Sequence, residues 1–200
     1  MDFSILEDIG MQKYIVAALL AGLAGTAAAE RYVGIGAGAS HFKVDCAGLD
    51  RCDKSDVGVK FFGGYRYTPM LSVEAGYIDF GKSKSTGTQD GFQLEGVLKS
   101  QALLVNAAVK APLVAGVDGV ARIGLARVHA SLDQRADGNV ISSTTRESWQ
   151  PYVGLGLQYK VRQDVSVDLG VDMTRAKVDT ATGSTTSAVR LVNAGVTYGF

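Results

Sequence analysis

From residue 31 to the end, the chain alternates apolar residues with small or polar ones. No stretch there carries a sustained helical period, whereas period-two segments recur, the pattern of strands whose two faces meet different surroundings. They predict eight strands, at 31–42, 56–67, 71–80, 99–111, 119–130, 149–160, 164–175 and 189–200. In the first, Val33, Ile35, Ala37 and Ala39 oppose Gly34, Gly36, Gly38 and Ser40. In the seventh, Val165, Val167, Leu169, Val171 and Met173 oppose Ser166, Asp168, Gly170, Asp172 and Thr174.

The apolar face is uniform and bulky, while the opposite face mixes glycine with charges of both signs. In a soluble barrel or sandwich the bulky face would be the core and the other would be solvated. Glycine on a solvated strand face only weakens the strand, yet 25 of the 200 residues are glycine, nearly twice the usual share of about 7%. A narrow polar interior with apolar side chains facing lipid accounts for both faces, and strands of this length suit a tilted membrane crossing. The fold expected is therefore all-β: an eight-stranded antiparallel up-and-down transmembrane β-barrel.

Connections alternate in length. Those at 43–55, 81–98, 131–148 and 176–188 are long, and those at 68–70, 112–118 and 161–163 are short, as in outer-membrane barrels with short periplasmic turns and long external loops. An even strand count with both termini on one side follows. Tyr32, Tyr65, Tyr67, Tyr77, Trp149, Tyr152, Tyr159, Tyr198 and Phe200 fall toward predicted strand ends, where aromatic girdles form.

The segment before the strands reads as an export signal. Lys13 precedes the apolar run Tyr14–Ala24, and Ala27 and Ala29 form a small-x-small end, giving a signal peptide over 1–29 and a barrel domain over 30–200. Asp2, Glu7 and Asp8 have the wrong sign for such a start, which makes Met11 the expected true initiator. An exported chain meets oxidising conditions, so Cys46 and Cys52, separated by five residues rich in turn formers, are expected to close a small disulfide loop; two free thiols are the alternative. With 20 basic and 20 acidic side chains the chain lacks the basic footprint of a nucleic-acid binder. Two cysteines without ligand-spaced histidines leave no metal site, and no cofactor is expected.

Lys60, Arg66, Glu74, Lys110, Arg122, Lys160, Asp168, Asp172 and Arg190 are expected to point inward. Charges held away from bulk water must pair, so an internal ion-pair network is expected, centred on Glu74 with Arg122 or Arg66. Its role is structural, or else a gate that lets small ions pass. An eight-stranded barrel is just wide enough for side chains to fill it, so no wide pore is expected. The Ser/Thr/Gly-rich loops look adaptable rather than catalytic. Near the outer rim, Lys82, Lys84, Lys99, Arg127, Arg135, Arg146, Arg175 and Lys177 either neutralise lipopolysaccharide phosphates or form a solvated face. His129-Ala130-Ser131 puts a base and a hydroxyl on one strand face, the one feature that raises a lipid A-modifying hydrolase as a remote alternative.

Lys60-Phe61-Phe62-Gly63-Gly64-Tyr65-Arg66-Tyr67, followed by Leu71-Ser72-Val73-Glu74-Ala75-Gly76-Tyr77, resembles the second and third strands of the small OmpA-like outer-membrane barrels. Tyr32–Gly38, Gly124–Arg127 and Tyr152–Leu157 are similar to the first, fifth and sixth. The resemblance spans 30–200, leaves no room for a peptidoglycan-binding domain, and implies the outer membrane of a Gram-negative bacterium. It also implies that Val196, Tyr198 and Phe200, with Val192 and Ala194, form the signal read by the barrel-assembly machinery. The function expected is a non-enzymatic envelope protein with a plugged polar lumen. Its expected partners are outer-membrane lipids and lipopolysaccharide, together with an extracellular ligand met through the loops; a low-conductance porin-like channel is the alternative.

Overall fold

A computed structural model describes residues 31–43, 50–89, 92–136, 139–180 and 183–200. The predicted signal peptide, the alternative start at Met11 and Cys46 lie outside them, so the expected Cys46–Cys52 bond does too; Cys52 sits half-buried on a short strand.

Nine strands are present among the described residues: β1 Arg31–Phe42, β2 Arg51–Asp53, β3 Ser55–Arg66, β4 Leu71–Gln89, β5 Phe92–Val114, β6 Val117–Ala136, β7 Asn139–Lys160, β8 Val165–Thr180 and β9 Gly183–Gly199. All pairings are antiparallel. The order β4-β3-β1-β9-β8-β7-β6-β5 closes through β4–β5 into an eight-stranded barrel, and among the described residues β2 pairs with the outer arm of β4. The chain ends meet where β9 returns to β1: Phe200 N–H donates to Arg31 C=O at 2.9 Å, and Arg31 N–H to Phe200 C=O at 3.2 Å. Closure leaves no free edge at membrane depth, the condition for strands to exist in lipid.

The outer face is the bulky one. Val33, Ile35, Phe61, Val73, Leu103, Val105, Ile123, Leu125, Val153, Leu155, Val167, Leu169, Val192 and Val196 are all exposed, which in water would be an extreme apolar patch and in hydrocarbon is a lipid-facing band. At the short-turn end the band is edged by aromatic rings, Tyr65 against Tyr67 and Tyr198 against Phe200.

Three expectations are corrected. The predicted long loops at 81–98, 131–148 and 176–188 are largely strand: β4–β5, β6–β7 and β8–β9 continue as hairpin arms to Gln89/Phe92, Ala136/Asn139 and Thr180/Gly183. Beyond the membrane neither face needs apolar residues, so the ladder continues without a period-two signal. The interior is not polar throughout. Phe42, Ile78, Phe80, Leu98, Leu104, Val128, Val189 and Leu191 pack into a buried apolar plug at the long-hairpin end. Finally, Tyr32 and Tyr152 belong to no girdle: they are 6% and 0% exposed and point into the barrel.

Candidate functional site: the charged lumen layer and the outer rim

Below the plug, alternate residues of every barrel strand project into a space too narrow for bulk water. Two ion pairs occupy it. Arg122 on β6 donates from Nε to Glu74 Oε2 on β4 at 2.8 Å, and Lys60 on β3 donates from Nζ to Asp172 Oδ1 on β8 at 2.8 Å. Their side chains are between 2% and 9% exposed.

Each carboxylate has further donors, as a buried charge requires. Glu74 accepts from Tyr32 Oη and from Asn106 Nδ2, both at 2.8 Å. Asp172 accepts from Asn193 Nδ2 at 2.8 Å and from the Tyr152 hydroxyl, which Lys60 Nζ also reaches at 3.1 Å. The cations lie against rings: Arg122 and Lys60 stand 5.4 and 5.1 Å from the Phe62 centroid, and Arg66 stands 5.3 Å from that of Tyr32. These are cation–π distances.

A second, shallower chain lies toward the short-turn mouth. Lys110 Nζ is 3.5 Å from Asp118 Oδ2 and donates to Gln158 Oε1 at 3.2 Å. Gln158 Nε2 donates to Asp168 Oδ1 at 2.8 Å, and Thr197 Oγ1 to Asp168 Oδ2 at 2.6 Å. Two gaps of about 20 Å³ flank Arg122, room for roughly one water each.

Glu74 is thus joined to Arg122, while Arg66 is half-buried over Tyr32. Lys160 is exposed at the mouth, away from both pairs. Arg190 corrects the inward expectation: it has the parity of Val192, faces out and is exposed, opposite His41 on β1. Tyr32, Asn106, Tyr152 and Asn193 were missed as members of the network. Their even or odd numbers place them on the polar face of their strands, which is the signal that finds them.

Outside, Lys82, Lys84, Lys99, Arg127 and Arg175 are exposed, and Arg135, Arg146 and Lys177 are half-buried. Glu147 on β7 binds Arg127 of β6 through both Nε, at 3.0 Å, and Nη2, and its Oε1 is 3.3 Å from His129 Nδ1. The hydrogen bonds from Arg127 and His129 hold the Glu147 carboxyl below the usual carboxylate range. Asp133, bonded by Ser143 and facing Lys99, is held low in the same way. His129 and Ser131 share the outer face of β6 and Glu147 lies beside His129, but no hydrogen bond joins His129 to Ser131 among the described residues. A nucleophile needs that relay. Among the described residues no cluster of three or more His, Cys, Asp or Glu could hold a metal.

The profile of the OmpA-like transmembrane domain matches residues 26–200. Among solved structures, the chain is similar to neisserial surface protein A, at 18% identity and a TM-score of 0.55 over 87% of this chain and 100% of that one. It is similar also to Ail, the attachment invasion locus protein of Yersinia pestis, at 16% identity and a TM-score of 0.53 over the same shares. The outer membrane protein AlkL matches at 12% identity and a TM-score of 0.52, over 88% of this chain and 94% of that one. A search of curated protein sequences returns no match. With the closed eight-stranded wall, the lipid-facing band and a match that runs the length of the barrel, the chain belongs to the OmpA-like transmembrane domain family and is an outer-membrane β-barrel protein.

Proposed function

We propose that this barrel is a non-conducting, non-enzymatic envelope protein that reinforces the outer membrane and meets the outside through its surface and extracellular hairpins. The observation that carries this reading is the vertical division of the lumen. An ion entering from the short-turn mouth meets the Lys110–Asp118 chain, then two buried ion pairs, then a packed apolar plug, and desolvating it there costs far more than any binding in the mouth returns. Contact with outer-membrane lipids and lipopolysaccharide is supported by the cations at the upper edge of the apolar band. On four strands the first charged outward residue beyond the band is Lys99, Arg127, Arg175 or Arg190. The assembly-machinery reading of Val196, Tyr198 and Phe200 is supported by their alternate, exposed positions on the closing strand.

Planar-bilayer recording of the purified protein beside Glu74→Ala tests the central point. Neither should show steady conductance. Stepwise opening that increases in Glu74→Ala overturns the reading in favour of a low-conductance channel gated by the charged layer.

A further inference from the structure

The outer face of β4 changes parity at Gly81. Up to Asp79 the odd-numbered residues face outward, while beyond it Lys82 and Lys84 do so and Ser83 is buried. The pairing register with β5 breaks between Asp79 and Lys82. Gly81 adopts φ 72°, a conformation that L side chains rarely take. A Cβ there would also stand 2.7 Å from Asp56 Oδ2 and 2.8 Å from the Val57 carbonyl oxygen. Two carboxylates hold the break: Asp79 Oδ1 accepts from Gly81 N–H, and Asp56 Oδ2 from Lys82 N–H, each at 2.8 Å.

A bulge of this kind re-aims a side chain. In an unbroken strand Lys82 would share the inward face of Phe80; the bulge turns it outward, directly opposite Lys99 of β5. Two ammonium groups facing each other across an antiparallel pair repel, and among the described residues only Lys99 of the two has an ion-pair partner to offset this. Among the described residues the Lys82 side chain has no ion-pair partner, and the nearest carboxylate to Lys99 is Asp133, at 3.7 Å. Asp79, one step below, is engaged by Gly81 N–H and, at 3.4 Å, by Gln101 Nε2. Ser131 lies opposite Lys99 on the other side.

Height supplies the second argument. The last apolar outward pair on these strands is Tyr77–Leu103, then come Asp79–Gln101 and Lys82–Lys99. With strand rise and tilt the lysine pair stands about 10 Å above the apolar edge, and its flexible chains reach down into a headgroup layer roughly 5–8 Å deep. We propose that Lys82 and Lys99 form a two-lysine clamp for a phosphate group on an outer-leaflet lipid, a site that rests on the outward, lipid-contacting surface proposed above. Cβ atoms of a facing pair are about 5 Å apart, so both ammonium groups can close on one phosphate, with the Ser131 hydroxyl beside them.

The full-length protein, folded in zwitterionic detergent, is titrated with phosphorylated lipid A, with the same lipid dephosphorylated, and with inorganic phosphate. Parent, Lys82→Gln, Lys99→Gln and, as a control in the short turn at the barrel's opposite end, Arg162→Gln are compared, each checked for heat-dependent gel mobility. Phosphorylated lipid A should bind the parent, and each lysine variant should weaken it about fivefold while Arg162→Gln leaves it unchanged. Equal affinity for the dephosphorylated lipid, equal loss in all three variants, or inorganic phosphate binding as tightly as the lipid overturns the clamp. Whole-cell labelling of Lys82→Cys with an impermeant maleimide separates the two levels. Absence of labelling overturns the underlying orientation, whereas labelling with unaltered lipid affinity overturns the clamp alone.

Discussion

Glu74→Ala removes the centre of the charged layer, and its cost follows from what the mutation takes from Arg122, Tyr32 and Asn106. Arg122, with a side chain only 9% exposed, keeps its charge and loses its ion-pair partner at 2.8 Å. Breaking a buried pair from one side costs about 3–5 kcal/mol. Tyr32 Oη and Asn106 Nδ2 lose an acceptor as well, at about 1–3 kcal/mol each if nothing replaces it. The neighbouring gap of about 20 Å³ grows by the deleted side chain and admits water, which returns much of the second cost, so the expected net loss is about 4 kcal/mol.

Two controls separate charge from shape. Glu74→Gln keeps an acceptor oxygen and the volume, and should lose about 2 kcal/mol. Glu74→Leu combined with Arg122→Met removes both charges and should recover most of the loss, because a buried pair contributes little net stability over apolar side chains of similar size. Urea unfolding in phospholipid vesicles, followed by the fluorescence of the single tryptophan, Trp149, and by heat-dependent gel mobility, reads the parent, Glu74→Ala, Glu74→Gln, the double variant and its two singles, Glu74→Leu and Arg122→Met. The reasoning is refuted by a Glu74→Ala barrel within about 1 kcal/mol of the parent, or by a double variant that loses the sum of its two singles.

Gly64→Val places a branched side chain where the Tyr32 ring lies, and should cost about 1–3 kcal/mol in the same urea assay; an unchanged midpoint would mean that the interior has room to spare. Deleting Phe200 removes two backbone hydrogen bonds to Arg31, worth about 1–3 kcal/mol together. It should therefore leave folding in detergent intact while sharply lowering the outer-membrane yield in cells, and equal yields would dismiss the terminal signal. The Glu147 carboxyl, held low by Arg127 and His129, has the sign of a depressed acid. Its pairing is complete above its ordinary value of 4.5 and is lost as pH falls through the lower folded value. Carboxyl chemical shifts followed through an acid titration should show that low midpoint, and Arg127→Gln should move it upward.

The alternation of faces was legible because hydrocarbon and a narrow interior make opposite demands on neighbouring residues, and Arg31–Phe42 of β1 coincides with the predicted first strand. Parity likewise puts Lys60, Glu74, Arg122 and Asp172 on the inner face. It does not say which charge meets which. Lys60 and Asp172 are 112 residues apart, and their meeting depends on the stagger of strands around the barrel, which no local pattern encodes. The plug was hidden for another reason. Ile78, Leu104 and Leu191 stand on the predicted inner face, but averaging a face along its strand conceals a change from charged at one end to apolar at the other. Beyond the band, where both faces are polar, the period disappears and hairpin arms read as loops.

The glycine surplus and the charged layer are parts of one packing problem. A small barrel must hold four buried charges, and charges inside protein need rings and hydrogen-bond donors close by. Phe62 and Tyr32 supply those rings, and each lies where a side chain on its cross-strand partner would stand: Phe62 against Gly34, Tyr32 against Gly64. Aromatic residues laid over glycine also restore packing and help to pin register. Replacing the glycines by alanine would leave the rings no place from which to meet Arg122, Lys60 or Arg66. The plug above completes the arrangement by excluding water from the long-hairpin end, which raises the strength of each ion pair and equally the penalty for an incomplete one. Charge pairing, glycine placement and the apolar plug are therefore one coupled unit, and a change in any of them should be felt as a loss in the others.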